Sequence, residues 1–309
     1  MTTTLHLLYP SINFETGSGI IFRNIECLTG NRMTNRLNNT LVPTENRMEQ
    51  AECYDAGPGH IVFYTSASPD NKSANEDKLA IIPINQCSLV LMVADGAGGH
   101  SGGDFASAVA INLISKSIAN SVSDSSELRE SILSGIEDAN TAIMDRHPGA
   151  ATTLSLVEIQ NDMIRTYHAG DTEILVTGQR GRLKYQTLIH SPVGYAVEAG
   201  LLDEGDAIMH KDRHIVSNVL GYTDMHITIG SPVRLAPHDT LLIATDGLFD
   251  NLQKGEITDL IRKGPLDECA GKIIKMVSKR MFEKDSEKPS KFDDMSFILF
   301  RLNRNAIKR

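Results

Sequence analysis

Two pairs of apolar segments in this sequence are joined by connections that suit a hairpin and little else. TTLSLVEI (152–159) and MIRTYHA (163–169) flank Gln160-Asn161-Asp162, and TEILVT (172–177) and LKYQTLI (183–189) flank Gly178-Gln179-Arg180-Gly181. Asn, Asp and Gly are turn residues, and strands joined by such short loops lie antiparallel. Four more apolar runs read as strands: HIVFYTSA (60–67), SLVLMVA (88–94), DTLLIAT (239–245) and MSFILFRL (295–302). Helical spacing covers 104–119 and 126–146, the latter ended by His147-Pro148-Gly149, and also 256–263 and 266–283. Hairpins plus two pairs of helices point to an α+β chain, with sheets packed together and covered by helices.

Composition narrows the function classes. With 309 residues, 41% hydrophobic and 22% charged, the chain is neither fibrous nor wholly disordered. A net charge of −9, 5% aromatics and no tryptophan speak against nucleic-acid binding. No apolar run is long enough to cross a membrane, and the start MTTTLHLLYPSINFE lacks a basic, then apolar, export signal. The expected location is cytoplasmic. Cys27, Cys53, Cys87 and Cys269 are irregularly spaced and read as small buried hydrophobes in a reducing compartment. Residues 1–58 hold no clear period, and 30–50 read as loop or weak structure. Gly57-Pro58-Gly59 looks like a boundary, which divides the chain into an N-terminal extension (1–58), one domain (59–302) and a short basic tail (303–309).

Acidic residues collect at strand ends. SLVLMVA runs into Asp95-Gly96, MIRTYHA into Gly170-Asp171, and DTLLIAT into Asp246-Gly247 with Asp250 one turn on. Asp293-Asp294 precedes MSFILFRL, and Glu76-Asp77 precedes LAIIPI. One acid at a strand end is ordinary turn chemistry. Five strand ends with carboxylates are another matter: if they converge, the charges repel, and divalent cations relieve the repulsion. Oxygen ligands without His or Cys suit Mg²⁺ or Mn²⁺ rather than zinc. DGAGGHSGGD (95–104) fails both the P-loop and the GxGxxG patterns. His210 and His214 have i,i+4 spacing but no acid between them as in HExxH, and His100 is a loop histidine or a phosphate or capping contact.

In order, NED (75–77), VADGAGGHSGGDFAS (93–107), GAATTLSLVEI (149–159), HAGDTEILV (168–176), ATDGLFDNL (244–252) and DDMSFILF (293–300) resemble the metal-dependent PP2C-type protein phosphatases, the PPM family, in their bacterial form. HSPVGYAVEAGLLDEGDA (190–207) and HKDRHIVSNVLGY (210–222) resemble its flap. The resemblance implies a four-layer αββα sandwich, two antiparallel sheets between pairs of helices. It implies hydrolysis of phosphoserine and phosphothreonine by a water bridging two metals, Mn²⁺ or Mg²⁺. Carried over by motif, Asp95 and the Gly96 carbonyl ligate metal, as do Asp246 and Asp293. Glu76 acts through a bound water supported by Asp77, and Asp171 and Asp250 match a third, weaker site. Lys72 stands where an arginine usually grips the substrate phosphate, and Ala97 where animal members carry a histidine. Thr172-Glu173 and Asp294 also depart from the pattern. The implied partner is a phosphorylated protein, and the expected state is a monomer. Two other readings compete: a catalytically weak member acting as a binding module, and a two-metal nuclease, against which the −9 charge speaks.

Overall fold

The computed structural model describes residues 21–23, 35–70, 74–97, 102–120, 125–282 and 288–303. Along the chain come β1 (Ile21–Arg23), β2 (Asn35–Arg36), β3 (Leu41–Pro43), β4 (Glu52–Ala56), β5 (Gly59–Ser66), β6 (Lys78–Pro83), β7 (Ser88–Ala94) and β8 (Gly96–Ala97). Two long helices, α1 (Gly102–Asn120) and α2 (Ser125–Arg146), precede β9 (Ala151–Thr152), β10 (Leu154–Gln160), β11 (Met163–Ala169), β12 (Glu173–Thr177) and β13 (Leu183–Gln186). Short elements follow: α3 (Pro192–Glu198), α4 (Glu204–Ala207), β14 (Thr228–Ile229) and β15 (Val233–Arg234). The chain closes with β16 (Thr240–Ala244), α5 (Asp246–Phe249), α6 (Lys254–Ile261), α7 (Leu266–Phe282) and β17 (Met295–Leu302).

One sheet runs β1-β3-β6-β7-β10-β11-β14, with β15 also on β11, and the other runs β13-β12-β16-β17-β5-β4-β2. Pairing is antiparallel except at one outer end of each, where β1 lies parallel to β3 and β2 parallel to β4. The continuous apolar runs follow from burial on both faces. In β6 and β7, Leu79, Ile81, Leu89, Leu91 and Val93 face the second sheet, within the main core. Their neighbours Ala80, Ile82, Val90 and Met92 face α1 and α2, in a second core with Ala106, Ala110, Ile114, Ile132 and Ile136. On the far side, α7 buries Leu266, Cys269, Ala270, Ile273, Val277 and Met281 against β5 and β17, with α6 beside it. The order helices, sheet, sheet, helices is the four-layer sandwich expected from the resemblance.

The residues ahead of β6 correct the expected division of the chain. β4 pairs with β5 from Glu52↔Phe63 to Ala56↔Gly59, so Gly57-Pro58 is a hairpin turn rather than a boundary. β3 joins the other sheet through Leu41↔Ile81. Leu41, Met48 and Ala56 lie in the main core. The division at residue 59 therefore splits a paired unit, and 30–50, read as loop or weak structure, contains the short strands β2 and β3. Strands of two or three residues carry no readable period. Cys269 is buried as expected, but Cys53 and Cys87 are exposed; Cys27 lies outside the described residues.

Candidate metal centre

Strand register gathers the acids. Lys78 pairs with Ala94, so Asp77 and Asp95 leave adjacent strands at one edge of the first sheet. In the second sheet Ala244 pairs with Glu173 on one side and Phe297 on the other. Asp171, Asp246 and Asp293 stand within a few residues of those rungs. The two edges meet: Thr245 Oγ1 donates to Asp77 Oδ2 at 2.8 Å, crossing from one sheet to the other.

Backbone bonds fix each acid. The Asp95 N–H donates to Thr153 Oγ1 at 3.0 Å, and its carbonyl accepts from the Thr153 N–H and from Thr152 Oγ1. That clamp leaves the carboxylate free to face the site. The Asp77 N–H donates to Asn75 Oδ1, and Ser107 Oγ donates to the Glu76 carbonyl. Asp246 opens α5, where a negative charge suits the helix N-terminus.

The glycines of the two Asp-Gly pairs serve close backbone packing. A Cβ on Gly96 would lie 2.1 Å from the Gly103 carbonyl oxygen, and one on Gly103 only 2.6 Å from Glu76 Oε2. A Cβ on Gly247 would lie 1.8 Å from the Asp294 carbonyl oxygen. Gly96 and Gly103 thus let the start of α1 sit directly against the strand end that carries Asp95.

Burial raises the pKa of every acid in the cluster, and mutual repulsion raises them further. For Asp95 the neighbours responsible are Asp77, Asp246, Asp171 and Asp293. For Asp171 they are Asp246 and Asp250, partly offset by Lys291. Asp246, Asp250 and Asp293 are pushed up by burial and pulled back by Lys291. Burial raises Glu76, with Asp294 the next cause, and Asp77 is likewise raised well above the usual range. Among the described residues no three acidic, His or Cys side chains form a ready-made metal cage. The cation that three carboxylates do surround is an ammonium: Lys291 Nζ lies 2.7 Å from Asp246 Oδ2, 2.7 Å from Asp293 Oδ2 and 2.9 Å from Asp250 Oδ2. An all-oxygen acidic set that already closes around a positive charge fits a hard divalent cation.

A cleft of about 250 Å³ opens beside the cluster, between Asp171, Asp246 and Asp250 and the apolar side chains Leu188, Ile189, Val193 and Val197. Its cations are paired: Arg213 Nε meets Asp250 Oδ1 at 3.3 Å, and Lys254 pairs with the buried Glu173 at 3.0 Å. Glu173, a departure from the family pattern, therefore has a local counter-charge.

Glu76, Asp77, Asp95, Gly96, Asp171, Asp246, Asp250 and Asp293 are thus brought to one edge. Lys72 and His100 lie outside the described residues. His210 and His214 fall in turns rather than on a helix, and the group that this stretch sends to the site is Arg213. Lys291 was not expected, nor was Asp294 as the acceptor of the Ser68 and Glu76 backbone N–H groups. Lys291 stands two residues before Asp293, which was the one available sign.

The sequence matches the family model described as Protein phosphatase 2C over residues 67–281. The chain belongs to the protein phosphatase 2C family. A serine/threonine phosphatase of Listeria welshimeri is 27% identical to this family member over 210 residues, 65% of this chain and 82% of that one. The solved S. agalactiae serine/threonine phosphatase superposes with a TM-score of 0.68 at 26% identity, covering 79% of this chain and 99% of that chain. The catalytic domain of PstP, solved with two manganese ions, has the same fold: TM-score 0.62 at 18% identity, over 78% of this chain and 97% of that one. The protein phosphatase 2C fold accounts for both sheets and both helical layers.

Proposed function

We propose that this protein phosphatase 2C member hydrolyses phosphoserine and phosphothreonine in protein substrates, with Mn²⁺ or Mg²⁺ at the carboxylate edge. The observation that carries this reading is the convergence of Asp95, Asp246 and Asp293 at one edge, each carboxyl held above its ordinary range by burial first and by neighbouring carboxylates next. Asp95 and the Gly96 carbonyl would hold one ion, and Asp246, Asp293 and Asp95 a second. Glu76, supported by Asp77, would act on the first through water. Asp171 and Asp250 would serve a third. Paired divalent ions lower the pKa of bound water and neutralise charge on phosphoryl oxygens.

The protein's own part is placement. The Thr152–Thr153 clamp holds Asp95 at the strand end, and Thr245 ties Asp77 to the second sheet. Phosphoryl transfer needs positioned charge more than covalent chemistry from side chains. The adjacent cleft offers apolar contacts for the residues flanking the phosphoamino acid. We assign Lys72 to the substrate phosphate as a point charge, on the resemblance alone. Ala97 leaves no histidine there to protonate the leaving group. No described helix is long and apolar enough to cross a membrane. A monomer working in the cytoplasm is the proposed state.

Hydrolysis of p-nitrophenyl phosphate and of a phosphothreonine peptide, with Mn²⁺, Mg²⁺ or EDTA, tests this reading. The expected result is turnover with metal and none with EDTA. Equal rates in EDTA, or no turnover with either metal, would overturn it, and the second outcome would favour the binding module.

A further inference from the structure

We propose that Lys291 is a built-in counter-ion of the acidic cluster, which a divalent cation must displace in order to bind. The inference rests on the metal reading above and concerns how that site is loaded.

An ammonium has three donors. Lys291 Nζ donates to Asp246 Oδ2 at 2.7 Å and forms ion pairs with Asp293 Oδ2 at 2.7 Å and Asp250 Oδ2 at 2.9 Å. Two of these acids are assigned to one metal and the third to a further one. The ammonium and a divalent ion cannot occupy the same point between Asp246 and Asp293. Loading the site therefore means breaking one charge-assisted hydrogen bond, stronger than a neutral one, and two close ion pairs.

The surroundings let the side chain leave without disturbing the backbone. The amide of Asn251, which is fully buried, holds the Lys291 backbone from both sides: Oδ1 accepts its N–H at 3.0 Å and Nδ2 donates to its carbonyl at 2.9 Å. The same Nδ2 donates to the Gly247 carbonyl, next to Asp246. The Lys291 side chain is 28% exposed, so a path to water is open. A flexible four-carbon stem on an anchored Cα can pivot outward and return.

One positive charge against three carboxylates relieves the repulsion only in part. It lets the cluster fold before metal arrives and lowers metal affinity, because every loading event displaces a cation already in place. Occupancy then follows the free metal concentration instead of staying saturated.

The test uses the full chain and Mn²⁺ alone as probe, comparing wild type with Lys291→Met and Lys291→Gln. Free Mn²⁺ is read by its paramagnetic resonance signal during titration, and thermal melting is recorded in EDTA and at saturating Mn²⁺. Both variants should bind Mn²⁺ at one site at least about ten-fold more tightly, the factor that corresponds to about 1.4 kcal/mol. They should melt lower than wild type in EDTA and gain more from Mn²⁺. Two variants keep the test usable if one fails to fold. Unchanged or weaker Mn²⁺ binding in the folded variants overturns the inference and leaves the metal reading intact. A wild type that binds no Mn²⁺ overturns both.

Discussion

Asp294 ties the last strand to the Glu76 loop: its Oδ2 accepts the Glu76 backbone N–H at 2.6 Å. Its Oδ1 accepts the Ser68 N–H at 2.7 Å, so both oxygens hold backbone donors from the segment ahead of β6. A carboxylate supplies two acceptor oxygens where an amide would supply one, which makes the added charge beside the site a structural clamp. Asp294→Ala leaves both donors unpaired, at about 1–3 kcal/mol for each that stays buried. The melting temperature should fall by several degrees, with Asp294→Asn intermediate. An alanine variant that melts like wild type would show that water replaces the clamp at no loss.

Asp246→Asn and Asp293→Asn should each fold and lose nearly all metal-dependent turnover, because a charged ligand is gone. The rise in melting temperature on adding Mn²⁺ should shrink in both, since stabilisation follows binding to the native state. Circular dichroism checks the fold, and p-nitrophenyl phosphate the activity. Near-normal turnover at saturating Mn²⁺ in either variant sinks the ligand assignment.

A chain truncated to begin at Gly57 should aggregate or unfold. It loses β4, the whole pairing partner of β5 on that side, together with the core residues Leu41, Met48 and Ala56. A buried Leu or Met is worth about 1.5–3 kcal/mol, against a total stability of about 5–15 kcal/mol. An exposed β5 edge also invites pairing between chains. Solubility and a far-ultraviolet melt decide it; a soluble species with the full-length melting temperature would contradict the topology.

His168 sets an acid limit on stability. Burial, with help from His190 at 4.5 Å between ring centres, lowers its pKa to about 3. Neither ring nitrogen has a hydrogen-bond partner of good geometry, although the nearby backbone of Thr172 and Gly170 slightly favours the charged form. Below about pH 6.5 the unfolded chain takes up a proton that the folded one refuses. Stability from this group is therefore full above pH 6.5 and declines as pH falls toward about 3. His168→Phe, with a ring of similar size, should lose less stability between neutral pH and pH 5 in urea titrations. An unchanged loss in the variant would assign the acid sensitivity elsewhere.

Much of this was legible in residue order. The hairpins at 160–162 and 178–181 formed as read, because Asn, Asp and Gly leave the backbone few alternatives. The helices over 104–119 and 126–146 appear as α1 and α2, within two residues at each end. Each acid at a strand end was visible in its own motif. The N-terminal strands were not, since β2 and β3 are too short to show alternation and are held by partners distant in sequence. Gly96 and Gly247 are each crowded by another segment's backbone, Gly103 in one case and Asp294 in the other, a contact that residue order does not carry.

The sequence by itself determined which residues form strands, where each acid falls relative to a strand end, and which family the ordered motifs resemble. These are local properties, set by side-chain period and turn chemistry. Only the tertiary structure decided what those acids meet. Register brings Asp77 beside Asp95 and sets Asp246 between the segments of Asp171 and Asp293. Long-range contacts then bring Lys291 Nζ among three carboxylates and Asp294 onto the Glu76 backbone, 218 residues away in the chain. A charge's partner is fixed by distance in space, and residue order carries that distance only after the sheets have paired.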